Sequence, residues 1–307
     1  MQTADRSRHD VVVVGGRVAG SATAMLLARL GHDVVVVDRA SFPSDTVSTH
    51  SLARSGVVQL RRWGLLDDVL DSGAPAIRQV TFNAGGESVS RTIKDKAGID
   101  FLVAPRRYVL DTILVAAAEH AGADVRSGVT MTGLQRDGHG RVVGVSGRDR
   151  SGARVEFGAR YVVGADGLQS WVAEMVGAWV NQAGPAGGAV QYAYYEGIPW
   201  TGFEFFVAER SFAGVFPTHD GQACIWVCTP PPTPRRFAAG PARAWRRSMY
   251  CSSARPPSWP SGCATLAAPR RCTACCACPT SCGRRSGRAG RWSATPAITA
   301  TRSLATA

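Results

Sequence analysis

Residues 11–39 read VVVVGGRVAGSATAMLLARLGHDVVVVDR, two unbroken valine runs, Val11 to Val14 and Val34 to Val37, on either side of a glycine-rich turn and a helical stretch. Continuous β-branched runs suit parallel strands covered on both faces. Between them the pattern predicts one helix, with Met25, Leu26, Ala28 and Leu30 as its apolar side and Gly31 at its end, where a left-handed residue costs little. The unit is therefore βαβ. Gly15 permits the tight turn after the first strand, Gly20 lets the helix pack close to the sheet, and the helix's unpaired N–H groups face an incoming pyrophosphate. Asp38 ends the second strand, placed to accept hydrogen bonds from ribose hydroxyls, and Arg39 follows it. Cofactor contacts are accordingly expected from Gly15, Gly16, Arg17, Val18, Ala19, Gly20, Asp38 and Arg39. The usual Gly-x-Gly-x-x-Gly fingerprint is altered at its second glycine, here Arg17, whose side chain could itself reach phosphate or flavin. Three glycines alone would make only a tight βα turn; strand, helix, strand and acid together indicate a dinucleotide site.

Two further segments indicate which dinucleotide. Residues 104–114 read APRRYVLDTIL and residues 159–172 read ARYVVGADGLQSWV. In order and spacing, these with the N-terminal unit resemble the FAD-dependent monooxygenases of the para-hydroxybenzoate hydroxylase type and the similar geranylgeranyl reductase-like oxidoreductases. The resemblance spans roughly the first three-quarters of the chain. It implies an α/β fold in which a Rossmann-like FAD-binding unit carries an inserted antiparallel substrate sheet. It further implies FAD as cofactor, NAD(P)H as electron donor and a small apolar or aromatic molecule as substrate. The strand ending in Gly164, Ala165, Asp166, Gly167 and Ser170 would lie beside the cofactor, and the helix start at Arg107, Leu110 and Asp111 would carry an arginine toward the flavin. Where members of the family have an arginine after the serine, this chain has Trp171, Val172 and Ala173. Read alone, Asp166-Gly167 is a turn signal and Arg106-Arg107 a solvated pair at a helix start.

The implied division is a first FAD-binding part over 1–77, sheet over 78–103, a second FAD-binding part over 104–183, sheet again over 184–230, and a tail over 231–307. Strands are expected at Gln191 to Tyr195, Phe203 to Val207 and Ala223 to Val227. Tyr192, Tyr194, Trp200, Phe205 and Phe206 would suit an aromatic-tolerant pocket, although aromatic residues in strands are more often plain core. The loop SFPSDTVSTH, residues 41–50, brings Ser48, Thr49 and His50 forward; His50 is the one candidate catalytic residue, set against a hydrogen-bonded loop histidine. A monooxygenase and a reductase of carbon–carbon double bonds both fit these features, whereas the halogenase stretch Trp-x-Trp-x-Ile-Pro is absent.

The tail departs from everything before it. All 23 acidic residues precede position 221, while 13 arginines and no acid follow, and the nine cysteines all fall between Cys224 and Cys282. Arginine clusters could bind nucleic acid, and Cys272, Cys275, Cys278 and Cys282 could hold zinc. The cysteines do not form two separated pairs and no histidine follows His219, so neither metal nor nucleic acid is expected. A translation displaced by one base explains the tail better. Moving each codon boundary back one base, with free first bases chosen to fit, lets WSATPAITATRS (residues 292–303) read Val-Gly-Asp-Ala-Gly-Tyr-His-Arg-Asp-Pro-Ile, which resembles the family's second FAD motif. The expectation is a single-base change near codons 229–236, a disordered tail, an inactive truncated flavoprotein as the alternative reading, and loss of the last strand and helices of the fold. With no signal-peptide core and no apolar run of about 18 residues, the sequence reads as cytoplasmic without a transmembrane segment.

Overall fold

The computed structural model describes residues 8–48, 51–182, 186–230 and 300–302. The described chain forms two compact units: one from the residues up to Ser48, 60–72 and 105–181, the other from 51–59, 73–104 and the described residues beyond 181.

The first unit is built on a six-stranded sheet. Its strands are β1 (Arg8–Val14), β2 (Val34–Asp38), β5 (Asp124–Ser127), β6 (Thr130–Arg136), β7 (Val142–Arg148) and β8 (Arg154–Gly164), in the order β5-β2-β1-β8-β7-β6. The four strands β5, β2, β1 and β8 run parallel, while β6, β7 and β8 form an antiparallel meander. Parallel neighbours need a crossover, and helix α1 (Val18–Arg29) supplies the one between β1 and β2. Valines of β1 and β2 are almost wholly buried, as the unbroken runs require; Val12, Val35, Val145, Phe157 and Val172 make the core of one face. Trp171 packs on that core and Val172 lies within it.

The helix face corrects the sequence reading in part: Met25 is fully buried as expected and Ala28 is half-buried, but the two leucines are not. Leu26 is 40% exposed and Leu30 75% exposed, whereas Gly20, Ser21, Ala22, Ala24 and Met25 are buried. Close approach to the sheet selects small side chains, and large leucines are turned outward. Gly31 does end the helix as expected, at φ +86°, with the Gly31 N–H donating to the Ala28 carbonyl and the His32 N–H to that of Leu27. Helices α2 (Arg54–Trp63) and α3 (Leu66–Asp71) follow β2, and α4 (Arg107–His120) packs beside α1.

The second unit holds a seven-stranded sheet in the order β13-β9-β12-β11-β10-β3-β4, from β3 (Gln79–Ala84), β4 (Glu87–Thr92), β9 (Ala186–Glu196), β10 (Phe203–Ala208), β11 (Ser211–Pro217), β12 (Gln222–Thr229) and β13 (Ala300–Arg302). The expected strands are present. The sheet is mixed, however, because β10 pairs with β3 in parallel; these strands come from separate stretches of chain, so no hairpin fixes their relative direction. Tyr194, Phe203, Phe216 and Cys224 form the core on one face, with Tyr192 and Phe205 against it, while Phe206 joins Val215, Ala223 and Ile225 on the other. The aromatic set thus divides between two faces, and Trp200 is 41% exposed. Within the tail, the backbone of Ala300–Arg302 pairs with the edge of β9; residues 231–299, with all the candidate zinc cysteines, and 303–307 lie outside the described residues. No described helix is long and apolar enough to cross a membrane.

Candidate functional site

The cofactor residues read from the sequence converge at the carboxyl ends of three adjacent parallel strands, β2, β1 and β8. The Gly15 N–H donates to the Val37 carbonyl (2.8 Å) and the Ala165 N–H to that of Val14 (2.7 Å), tying the turn after β1 to the strand ends on either side. Gly15 has φ +103°, and a Cβ there would stand 2.4 Å from the Ala165 oxygen. At Gly20 a Cβ would lie only 1.7 Å from the Gly15 oxygen. Both glycines are therefore dictated by chains meeting at close range. Asp38, 8% exposed, turns back on the turn it follows: Oδ2 accepts from the Gly16 N–H at 2.6 Å and Oδ1 from the Ala40 N–H at 2.7 Å. Each carboxylate oxygen retains acceptor capacity for a further donor such as a ribose hydroxyl. Val18 is half-buried, and Ala19 and Arg39 are exposed.

Arg17 needs no positive φ, for its backbone is extended at φ −87°, ψ −162°, so a side chain is accommodated at the altered glycine position without strain. Its Nη1 donates to Asp111 Oδ2 at 2.6 Å, and its Nη2 to Ser44 Oγ at 3.1 Å. Arg107 meets the same carboxylate, Nε to Oδ1 at 3.0 Å and Nη2 to Oδ2 at 3.1 Å. Beside it, Arg106 Nη2 donates to Asp45 Oδ2 at 2.6 Å and is largely buried rather than a solvated pair with Arg107. Asp166 serves helix α5 (Trp171–Met175), accepting from Ser170 Oγ at 2.5 Å and from the Val172 N–H at 3.0 Å, while Ser170 Oγ accepts from the Ala173 N–H. Gly167, at φ +90°, makes the exposed turn between them.

The structure thus brings together the glycine turn, Asp38 and the turn from Ala165 to Gly167, and adds Asp111 as the shared acceptor of two arginines. The sequence held half of that signal, the four-residue step from Arg107 to Asp111; nothing in it joins Arg17 to a residue 94 positions later. Ser44 and Asp45 were likewise visible only as members of a polar loop. His50 and Thr49 lie outside the described residues. In the second unit, burial pushes the Glu204 carboxyl above its usual range, opposed by a hydrogen bond from the Thr201 backbone.

Residues 8–244 match the family described as FAD binding domain. Menaquinone reductase of Mycobacterium tuberculosis is 32% identical over 231 residues, covering 71% of this chain and 54% of that protein. Kynurenine 3-monooxygenase of Salinispora arenicola is 30% identical over 181 residues, 56% of this chain and 39% of that protein. The chain spans about half the length of the curated relatives it matches, as those shares show. Among solved structures, PqsL, a probable FAD-dependent monooxygenase from Pseudomonas aeruginosa, superposes with a TM-score of 0.64 at 20% identity, covering 79% of this chain and 66% of that one. The myxobacterial chondrochloren halogenase CndH gives a TM-score of 0.67 at 21% identity, over 80% and 57%. Likeness at that identity concerns the fold.

Proposed function

Because the chain belongs to the FAD binding domain family, we propose that it is the FAD-holding part of a flavoprotein oxidoreductase, a monooxygenase acting on a small apolar or aromatic molecule with NAD(P)H as electron donor. The observation that carries this reading is the meeting of the glycine turn, Asp38 and the turn at Ala165 to Gly167 over the ends of β2, β1 and β8, the crevice where open α/β sheets bind their ligands. The residues fit the group. The turn from Gly15 to Gly20 would take the pyrophosphate, with Arg17, Val18 and Ala19 at its rim. Asp38 would hold the adenosine ribose through its remaining acceptor capacity, with Arg39 next to it. Arg107 would stand toward the flavin, and Asp166 and Gly167 would shape the wall opposite. When bound, FAD supplies the two-electron chemistry that links a nicotinamide donor to oxygen or to an unsaturated substrate. The protein's own contribution is binding, orientation and control of water. Residues 78–103 and 184–230 are assigned to the substrate side, and no catalytic residue is assigned.

A second reading, a reductase acting on a carbon–carbon double bond, draws support from a relative named as a reductase, which matches 71% of this chain against 56% for the kynurenine 3-monooxygenase. We also read residues 231–307 as out-of-frame, in support of which the family match stops at residue 244, soon after the composition changes. The deciding experiment is the visible spectrum of the purified 307-residue chain after incubation with FAD and desalting. Retained flavin supports the reading, and NADH or NADPH oxidation with and without oxygen then separates the two chemistries. A colourless protein, from this gene and from one with its frame corrected near codon 230, would overturn it.

A further inference from the structure

A carboxylate with no exposed side-chain surface, Asp111, carries two guanidinium groups at once. Arg17 reaches it from the glycine turn and Arg107 from one turn earlier on α4, and the two arginine side chains keep 25% and 17% of their surface exposed. The carboxylate is thus sealed behind two cations that face outward. Two guanidinium groups and one carboxylate leave a net charge of +1, fixed in place on a surface beside a site suited to an anion. Ser44 braces the assembly, its Oγ accepting from Arg17 Nη2 at 3.1 Å, and the Arg17 guanidinium lies over the Phe42 ring at 5.6 Å. An arginine with this many partners has few rotamers left, so little entropy is lost when it receives a ligand.

We propose that Asp111 is a positioning residue that ties Arg17 and Arg107 into one clamp on the flavin side of the FAD pyrophosphate, the clamp standing in for the second glycine of the fingerprint. This rests on the reading of the chain as an FAD-binding protein. In the usual turn a bare glycine lets backbone N–H groups approach the pyrophosphate; here a side chain occupies the position and brings its own donors. Like-charged arginines would otherwise drift apart, and Asp111 holds them against that repulsion.

Charge alone and positioning predict opposite signs for Asp111→Asn. Removing the carboxylate raises the local charge to +2, which by itself would tighten an anion. If Asp111 positions the arginines, FAD binding instead weakens by about tenfold or more, in line with lost charge-assisted hydrogen bonds. The test measures dissociation constants for FAD and for adenosine, which lacks phosphate, on the full 307-residue chain and its variants. Arg17→Lys, at a partly exposed site, is the second variant; it keeps the charge but loses the fork geometry, and about a fivefold loss for FAD is expected. Adenosine affinity is expected to hold in both, which a general disturbance of the fold would not allow. Wild-type binding with unchanged or tighter FAD binding in Asp111→Asn, or equal losses for FAD and adenosine, would overturn the clamp and leave the flavoprotein reading standing. If the 307-residue chain binds no FAD, the same variants are measured in the chain with its frame corrected near codon 230, and no binding by that chain either would overturn both.

Discussion

Replacing Gly20 with alanine puts the turn's geometry to a direct test. The added Cβ would stand 1.7 Å from the Gly15 oxygen, and real Cβ atoms essentially never come within 3.0 Å, so helix and turn must part by about 1.3 Å. The obstacle is backbone on both sides, with no flexible side-chain end to swing away. Overpacking of this kind costs about 3 kcal/mol. Alanine's better helix propensity returns about 1 kcal/mol, leaving a net loss of about 2 kcal/mol. For a domain of this size that lowers Tm by roughly 4–8 °C. Gly16→Ala is the internal control, since its Cβ would meet the Asp38 Cβ at 3.3 Å, a contact that needs only a few tenths of an ångström of give. Thermal unfolding followed by circular dichroism should therefore rank Gly20→Ala well below Gly16→Ala, with Gly16→Ala close to wild type. Equal melting temperatures for the two variants, or a Gly20→Ala protein that melts with wild type, would refute the close approach of α1 to the Gly15 carbonyl.

Asp38→Asn places an amide where two backbone N–H groups now meet a carboxylate; a stability loss of about 1–3 kcal/mol is expected, measured by urea unfolding, together with weaker adenosine binding. Glu204→Gln tests burial of a charge. The folded carboxyl titrates above the unfolded value of about 4.5, so the native state binds the extra proton. Its favourable contribution is complete below that value, is lost as pH rises through the folded pKa, and is absent above it. The glutamine variant should gain in Tm relative to wild type as pH rises from 4.5 to 8; an unchanged difference across that range would show that Glu204 is not buried as described. Finally, correcting the reading frame by one base near codons 229–236 should restore Gly-Asp-Ala in the product and raise flavin retention; mass spectrometry of the source organism's protein showing the present tail would defeat the frame argument.

The βαβ start was legible because its causes are local. Unbroken valine runs can be buried only between two covered faces, Gly31 marks the helix end by its backbone freedom, and Asp38 closes the second strand. The face of α1 was misread for an equally physical reason. Periodicity ranks side chains by hydrophobicity and placed Met25 correctly, while close packing added the small Gly20, Ser21 and Ala24 and left Leu26 and Leu30 outside. The parallel pairing of β10 with β3 was hidden because strand direction across separate segments has no sequence signature.

The sequence by itself determined the family and the chemistry expected of it, since glycine spacing, an acid at a strand end and the order of three motifs are properties of neighbours along the chain. It also exposed the break in composition after Asp220. Tertiary structure alone decided what each charged group faces. Arg17 and Asp111 are 94 residues apart and 2.6 Å from contact to contact, and Asp166 spends its carboxylate on the first turn of α5. Hydrogen bonds and ion pairs act over a few ångströms, and only the folded chain says which distant residues come that close.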